Sequence, residues 1–191
     1  MCANVKYGIW NTNQPDMGAV NALVGAGYAP LSAMVLACRG IKNGDQAKKY
    51  LDCNAPLLDP FLMTDMALAA GRVALAIENK EKIAVFGDYD VDGITATCLL
   101  TDFLRSHGAD CVSYIPGRLE EGYGLNAIAL HQLHEEGVKL IVTVDCGITA
   151  VEEAKLCREL GMDLVITDHH ECKETLPQAI AVVDPHRPDG G

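Results

Sequence analysis

None of the eight cysteines, Cys2, Cys38, Cys53, Cys98, Cys111, Cys146, Cys157 and Cys172, stands in a C-x-x-C pair. That spacing disfavours a zinc cluster. Several of them fall inside apolar runs, which reads as buried, reduced thiols of a cytosolic protein. No apolar run approaches the roughly 18 residues of a membrane span. The opening MCANVKYGIW has no basic region followed by an apolar core, so it is not a secretory signal. Positive charge is scarce: 15 Lys and Arg face 26 Asp and Glu, a net charge of −11. The deficit argues against broad, nonspecific nucleic-acid binding by this segment alone. It does not exclude a nuclease, because carboxylates gathered for divalent cations inflate the formal negative charge. A basic surface can also belong to another domain.

What is present is an ordinary globular composition, 49% hydrophobic and 21% charged, which excludes wholesale disorder. The length suits one good core, or one domain with a helical extension. Residues 1–80 read as mostly helical. Pro30 opens an apolar run that ends at Arg39-Gly40, where glycine suits a helix C-cap. A short helix is expected over Asp45 to Leu51. Pro60 to Lys80 gives the longest helical pattern, with Leu62, Met66, Leu68, Ala69, Val73 and Ile77 near three- and four-residue spacing.

From residue 82 the texture changes. Short apolar runs at Ile83–Gly87, Cys111–Ile115, Leu140–Val144, Leu164–Thr167 and Ala179–Val183 alternate with amphipathic segments at Ile94–His107, Leu125–Glu136 and Thr149–Leu160. Gly108, Gly137 and Gly161 close those segments. Strand, helix, glycine, strand is the pattern of an α/β fold: a parallel sheet of about five strands with flanking helices. The division therefore falls at 80/81, between a helical N-terminal extension and the α/β domain. Glu171 to Pro177 is short for a crossover helix and allows a single turn at most.

Ligands of open parallel sheets bind beyond the carboxyl ends of the strands. The first run is followed by Asp88-Tyr-Asp90-Val-Asp92-Gly93, the third by Asp145-Cys-Gly147, the fourth by Asp168-His169-His170-Glu171. Three strands thus deliver aspartates to one edge, and the last adds two histidines. Mg²⁺ and Mn²⁺ take carboxylate oxygens, and imidazole favours Mn²⁺ or softer metals. Gly93 lets the chain bend into the next helix and bring N–H groups toward a phosphate. Each piece alone has a plainer reading. Any of Asp88, Asp90 or Asp92 could cap the helix near Ile94, Asp145 could cap the one near Thr149, Asp168 could be a turn residue, and the histidine pair could be structural. Their convergence on one edge favours a divalent-metal site for phosphoester hydrolysis. His131 and His134 are three apart on a helix and read as a solvated face. Gly122-Tyr-Gly124 is too short for a nucleotide fingerprint. Arg118, after the second run, is a candidate phosphate contact. His186 and Arg187 face the substrate or form a surface turn.

GDYDVDG at 87–93, VDCG at 144–147 and DHHE at 168–171 resemble motifs I to III of the DHH phosphoesterase superfamily. Arg39-Gly40-Ile41, DPFLMTDM at 59–66, YIPGRLEEGYGLN at 114–126 and VVDPHRP at 182–188 extend the likeness to its single-strand-specific 5′→3′ exonucleases. The resemblance implies that Asp90, Asp92, Asp145 and Asp168 or His169 hold one or two Mn²⁺ or Mg²⁺ ions, with Asp88 a less central ligand. His170 would lie by the scissile phosphate as ligand or proton donor, and Arg118 would hold the phosphodiester; the catalytic set is His170, Asp168 and Arg118. It further implies single-stranded DNA as substrate, gripped mainly by other domains, repair or recombination proteins as partners, and a cytoplasmic location. The superfamily's fourth motif has no counterpart before Gly191. The sequence is therefore expected to be the N-terminal portion of a larger enzyme, with an incomplete site. A phosphodiesterase of cyclic dinucleotides or short oligoribonucleotides, and a non-catalytic replication-associated relative, are the alternatives.

Overall fold

Each apolar run expected as a strand from Ile83 onward is one, and all five lie parallel. The computed structural model describes residues 13–54, 56–117 and 124–189. The strands are β1 (Lys82–Phe86), β2 (Cys111–Tyr114), β3 (Val138–Val144), β4 (Asp163–Thr167) and β5 (Ala181–Val183), in the order β2-β1-β3-β4-β5. The helices between them are α5 (Val91–Ser106), α6 (Ala127–Glu135) and α7 (Val151–Glu159). Residues on both faces of β1 and β3 are buried, which explains why these runs are continuous rather than alternating. Chain order reverses between β1 and β3, and such a switch point opens a crevice at the carboxyl ends.

The two faces carry separate layers. Leu130 and Leu133 of α6 and Ala154 and Cys157 of α7 pack with Phe86, Ile141 and Ile166. On the other face Leu104 of α5 packs with Val85, Val142, Val165 and Val183, together with Ala69 and Ala76 of α4 (Met66–Glu78). The link from β4 to β5 contains no helix. It covers the sheet instead through Cys172, Leu176 and Ala179.

The chain divides into two compact units, Met1–Leu57 and Leu58–Gly191. α4, which the sequence groups with the helical extension, packs with α5 on the second face of the sheet, over β3 and β5. Pro60–Leu62 forms a single 3-10 turn, so the long helix starts at Met66 rather than Pro60. Among the described residues, the first unit holds three short helices, α1 (Met17–Gly25), α2 (Pro30–Cys38) and α3 (Gly44–Leu51). They close on Val20, Leu23, Ala33, Leu36 and Ala47. Asn43 caps α3 by accepting from the Gln46 N–H at 3.0 Å, and Gln46 Oε1 accepts from Lys42 N at 2.7 Å.

Candidate metal centre

Strand register sets out the site. Phe86 pairs with Thr143, Val144 with Thr167, and Thr167 with Val183. One or two steps further, Asp88, Asp145, Asp168 and Asp184 stand in a row across four strands. The ladder continues into this row, with Asp145 N donating to Thr167 O and Asp168 N to Val183 O, both at 3.1 Å. All four aspartates are buried.

Asp90 is the N-cap of α5, and its Oδ1 accepts from Asp92 N at 2.9 Å and Gly93 N at 3.1 Å. The capping reading therefore holds for Asp90 alongside its place in the site. A methyl group at Gly93 would stand 2.5 Å from Asp88 O and 2.6 Å from Asp88 N. Glycine thus lets the helix start press against the Asp88 backbone, which keeps Asp88 and Asp90 together. Asp145 has φ 62°, a left-handed conformation that a non-glycine residue adopts at some cost and most often at functional positions. Its Oδ1 meets His169 Nε2 at 2.8 Å.

Five of the expected ligands come together. Ligand atoms of Asp88, Asp90 and Asp145 lie within 4.8 Å of one another, as do those of Asp145, His169 and His170. Asp145 belongs to both groups. Asp92 and Asp168 belong to neither. Asp92 is exposed in the first turn of α5 and lines the cleft beside the row. The oxygens of Asp168 are taken by the chain: Oδ2 accepts from Ile148 N at 2.9 Å, and Oδ1 from His169 N at 2.7 Å and His170 N at 3.2 Å. Asp168 Oδ1 also meets His170 Nδ1 at 2.7 Å. Asp168 thus ties the two loops together and orients His170. Arg118 lies outside the described residues.

The donor set fits divalent cations. Asp88 Oδ1 and Asp145 Oδ2 are buried without a hydrogen-bond partner, which is costly unless a cation neutralises them. Asp90 and Asp145 lie within hydrogen-bonding reach of each other. Burial, opposed by His169 and reinforced by Asp90, pushes the Asp145 carboxyl above its ordinary value. The Gly93 N–H holds Asp90 below its own. Two carboxylates this close do not both ionise without a shared proton or a cation. The Asp168 carboxylate raises His170, so its ring carries a proton more readily than a free imidazole. Cys146 is fully buried, and burial pushes its thiol well up, so the cysteine of VDCG is no nucleophile.

Asp184 joins the row without having been expected there, although it follows its strand as Asp145 and Asp168 follow theirs. Its Oδ1 accepts from His186 N at 2.7 Å, and its Oδ2 is buried without a partner. Arg187 does not face a substrate. Its Nη1 donates to Asp65 Oδ2 at 2.7 Å and to Val182 O at 2.5 Å, while Asp65 Oδ2 also accepts from Val182 N at 3.1 Å. The outward N–H and C=O of an edge strand are thereby closed by two side chains. His186 is half-exposed, 3.8 Å from Glu171. His131 and His134 are exposed on α6 and join no metal-capable group among the described residues. Beside the row lies an open cleft of about 470 Å³, lined by the polar Asp92, Asp145, Asp168 and His169 and the apolar Met63, Met66, Ala96, Val144 and Val183.

A parallel sheet with carboxylates and histidines gathered at its switch-point end defines an α/β protein with a candidate divalent-metal centre. The chain belongs to the DHH family: the model of the DHH family, N-terminal domain, matches residues 82–191. Among curated proteins it is similar to the single-stranded-DNA-specific exonuclease RecJ of Bacillus subtilis (strain 168), 42% identical over 181 residues, which is 94% of this chain and 23% of that protein. Among solved structures it is similar to exonuclease RecJ bound to manganese, with TM-score 0.63 and 38% identity over 70% of this chain and 34% of that one. RecJ of Thermus thermophilus in complex with Mn²⁺ gives TM-score 0.63 and 29% identity over 93% of this chain and 25% of that one. The chain spans about a quarter of the length of the curated relatives it matches. Among the described residues no helix is long and apolar enough to cross a membrane.

Proposed function

We propose that this chain carries the metal-binding part of an exonuclease that hydrolyses phosphodiester bonds of single-stranded DNA from the 5′ end, in DNA repair and recombination. The observation that carries the reading is the pair of ligand groups sharing Asp145, with unpartnered buried oxygens on Asp88 and Asp145. Asp88, Asp90 and Asp145 would hold one divalent ion, and Asp145, His169 and His170 a second, Mn²⁺ or Mg²⁺. When bound, such ions offset the charge of the phosphodiester and make a water more acidic. The relatives named for single-stranded DNA and the manganese-bound RecJ structure support this choice of substrate and metal.

The protein's own groups have distinct tasks. Asp168 fixes the His170 ring through Nδ1 and ties its loop to that of Asp145 through Ile148 N. With Asp168 favouring its protonated form, His170 would donate to the leaving oxygen when it does not ligate. Arg118 would grip the phosphodiester. We place the protein in the cytoplasm; the free thiols at Cys38, Cys53, Cys98, Cys111, Cys146, Cys157 and Cys172 accord with a reducing compartment. Repair or recombination proteins would be its partners.

The test is Mn²⁺-dependent release of nucleotides by the complete protein from a single strand labelled at its 5′ end, with duplex, cyclic dinucleotide and dinucleotide substrates alongside. Release from the long single strand is expected. A folded, metal-loaded protein that spares it and cleaves only dinucleotides overturns the reading.

A further inference from the structure

We infer that Met63 and Met66 form a base-indifferent apolar shelf for the sugar and base of the nucleotide whose phosphate meets the metal ligands. The inference rests on the proposed phosphodiester site and adds the part of the nucleotide that the metal ligands do not explain. Both methionines are partly buried and line the same cleft as Asp145 and His169. At about 470 Å³ the cleft is in the usual range for small-ligand pockets, roughly 300–1,000 Å³. A phosphate held at the aspartates and histidines would leave its nucleoside portion within reach of the apolar residues of the same cleft.

Two features make this shelf a positioned surface. Between the methionines stand Thr64 and Asp65, and both are anchored to the chain around β5. Thr64 Oγ1 donates to Asp189 O at 2.7 Å, and Asp65 Oδ2 accepts from Val182 N and Arg187 Nη1. The turn is therefore pinned at its two middle residues, and the two flanking side chains are delivered to the cleft. The same bonds engage the polar groups of Thr64 and Asp65 that would otherwise be available to read a base edge. What remains is thioether and methylene surface, which is polarizable, adapts to different shapes and carries no donor pattern. Such a surface accepts purines and pyrimidines alike, as an enzyme that removes nucleotides in succession requires.

The experiment measures binding to the full chain in Mn²⁺ by calorimetry, with dTMP, dAMP, dCMP and dGMP against inorganic phosphate as probes. The variants are Met63→Ser/Met66→Ser and Met63→Leu/Met66→Leu. In the parent all four nucleotides should bind more tightly than phosphate and within about threefold of one another, since no base-specific hydrogen bond discriminates. The serine variant should lose about five- to tenfold for every nucleotide, the size expected for partial loss of two apolar contacts, and keep its phosphate and Mn²⁺ affinities. The leucine variant should restore nucleotide binding. Unchanged nucleotide affinity in the serine variant, equal losses of phosphate and nucleotide, or strong preference for one base each overturns the shelf. A parent that binds Mn²⁺ but neither phosphate nor nucleotide overturns the phosphodiester site itself.

Discussion

The two ends of the parallel sheet treat charge in opposite ways. At the amino ends of the strands, Arg72 of α4 donates to Asp163 and to Glu81, both at 2.6 Å, and Lys82 lies 3.6 Å from Glu136. Carboxylates there have cationic partners from the protein. At the carboxyl ends, Asp88, Asp90, Asp145, Asp168 and Asp184 gather, and among the described residues no lysine or arginine pairs with any of them. Among the described residues, the ion-pair contacts of these five aspartates are those of Asp145 with His169 and of Asp168 with His170. The first end is assembled for stability. The second keeps unneutralised carboxylates in buried positions, where their repulsion opposes folding until cations arrive.

The largest expected effect breaks the carboxyl end. Asp145→Asn removes the shared ligand yet suits the left-handed backbone, which asparagine tolerates well. Mn²⁺ affinity should fall at least about 100-fold, the upper end of what even outer-shell changes cost a metal site. Without metal, the melting temperature should not fall and should rise if repulsion dominates. Calorimetry for Mn²⁺ and thermal melts with and without the ion check both halves. A variant that binds Mn²⁺ as the parent does would remove Asp145 from the centre of the site.

The converse change breaks the amino end. The Arg72 side chain is 12% exposed, and its partners Glu81 and Asp163 are 22% and 42% exposed. Arg72→Ala should destabilise by about 1–3 kcal/mol, less than a fully buried pair because both carboxylates regain some water. Urea denaturation measures this loss, and Mn²⁺ affinity should stay within about twofold of the parent, as expected of distant, independent sites. If the metal site fails along with stability, the two ends are not separable.

How much of this contrast the sequence discloses depends on the range of the interactions. The strands and the helices closed by glycine are local patterns, and all five runs can be read from hydrophobicity alone. The site edge is legible for the same reason: an aspartate directly after Val144 or Thr167 must stand at a strand's carboxyl end. The saturation of Asp168 is not legible, because it needs Ile148 N, twenty residues away on another loop. Nor is the closure of β5 by Arg187 and Asp65, 122 residues apart, or the assignment of α4 to the sheet. Asp184 offers the same local signal as Asp145, but the Asp-Pro-His-Arg-Pro run that it opens reads equally well as a surface turn.

The smallest expected effect sharpens the comparison through pH. Glu81 sits below its ordinary value, chiefly because Arg72 donates to it. Its contribution to stability is therefore complete above the unfolded-state value and is lost as pH falls through the lower folded value. Asp145 sits above its ordinary value, chiefly through burial, so the folded state holds this proton where the unfolded state has released it. Its effect has the opposite sign: the folded state is least penalised below the unfolded-state value and loses stability as pH rises through the higher folded value. Glu81→Gln should therefore cost stability near neutral pH and little in acid. Asp145→Asn without metal should gain most near neutral pH and little in acid. Saturating Mn²⁺ should reverse the Asp145-dependent slope, because the cation displaces the proton and keeps the folded carboxylate ionised, and leave the Glu81-dependent slope in place. Denaturation series from pH about 3 to about 7, which spans the ordinary carboxylate range, measure both slopes. Slopes of the same sign in the metal-free protein would mean that the carboxylates at the two ends of the sheet are balanced in the same way.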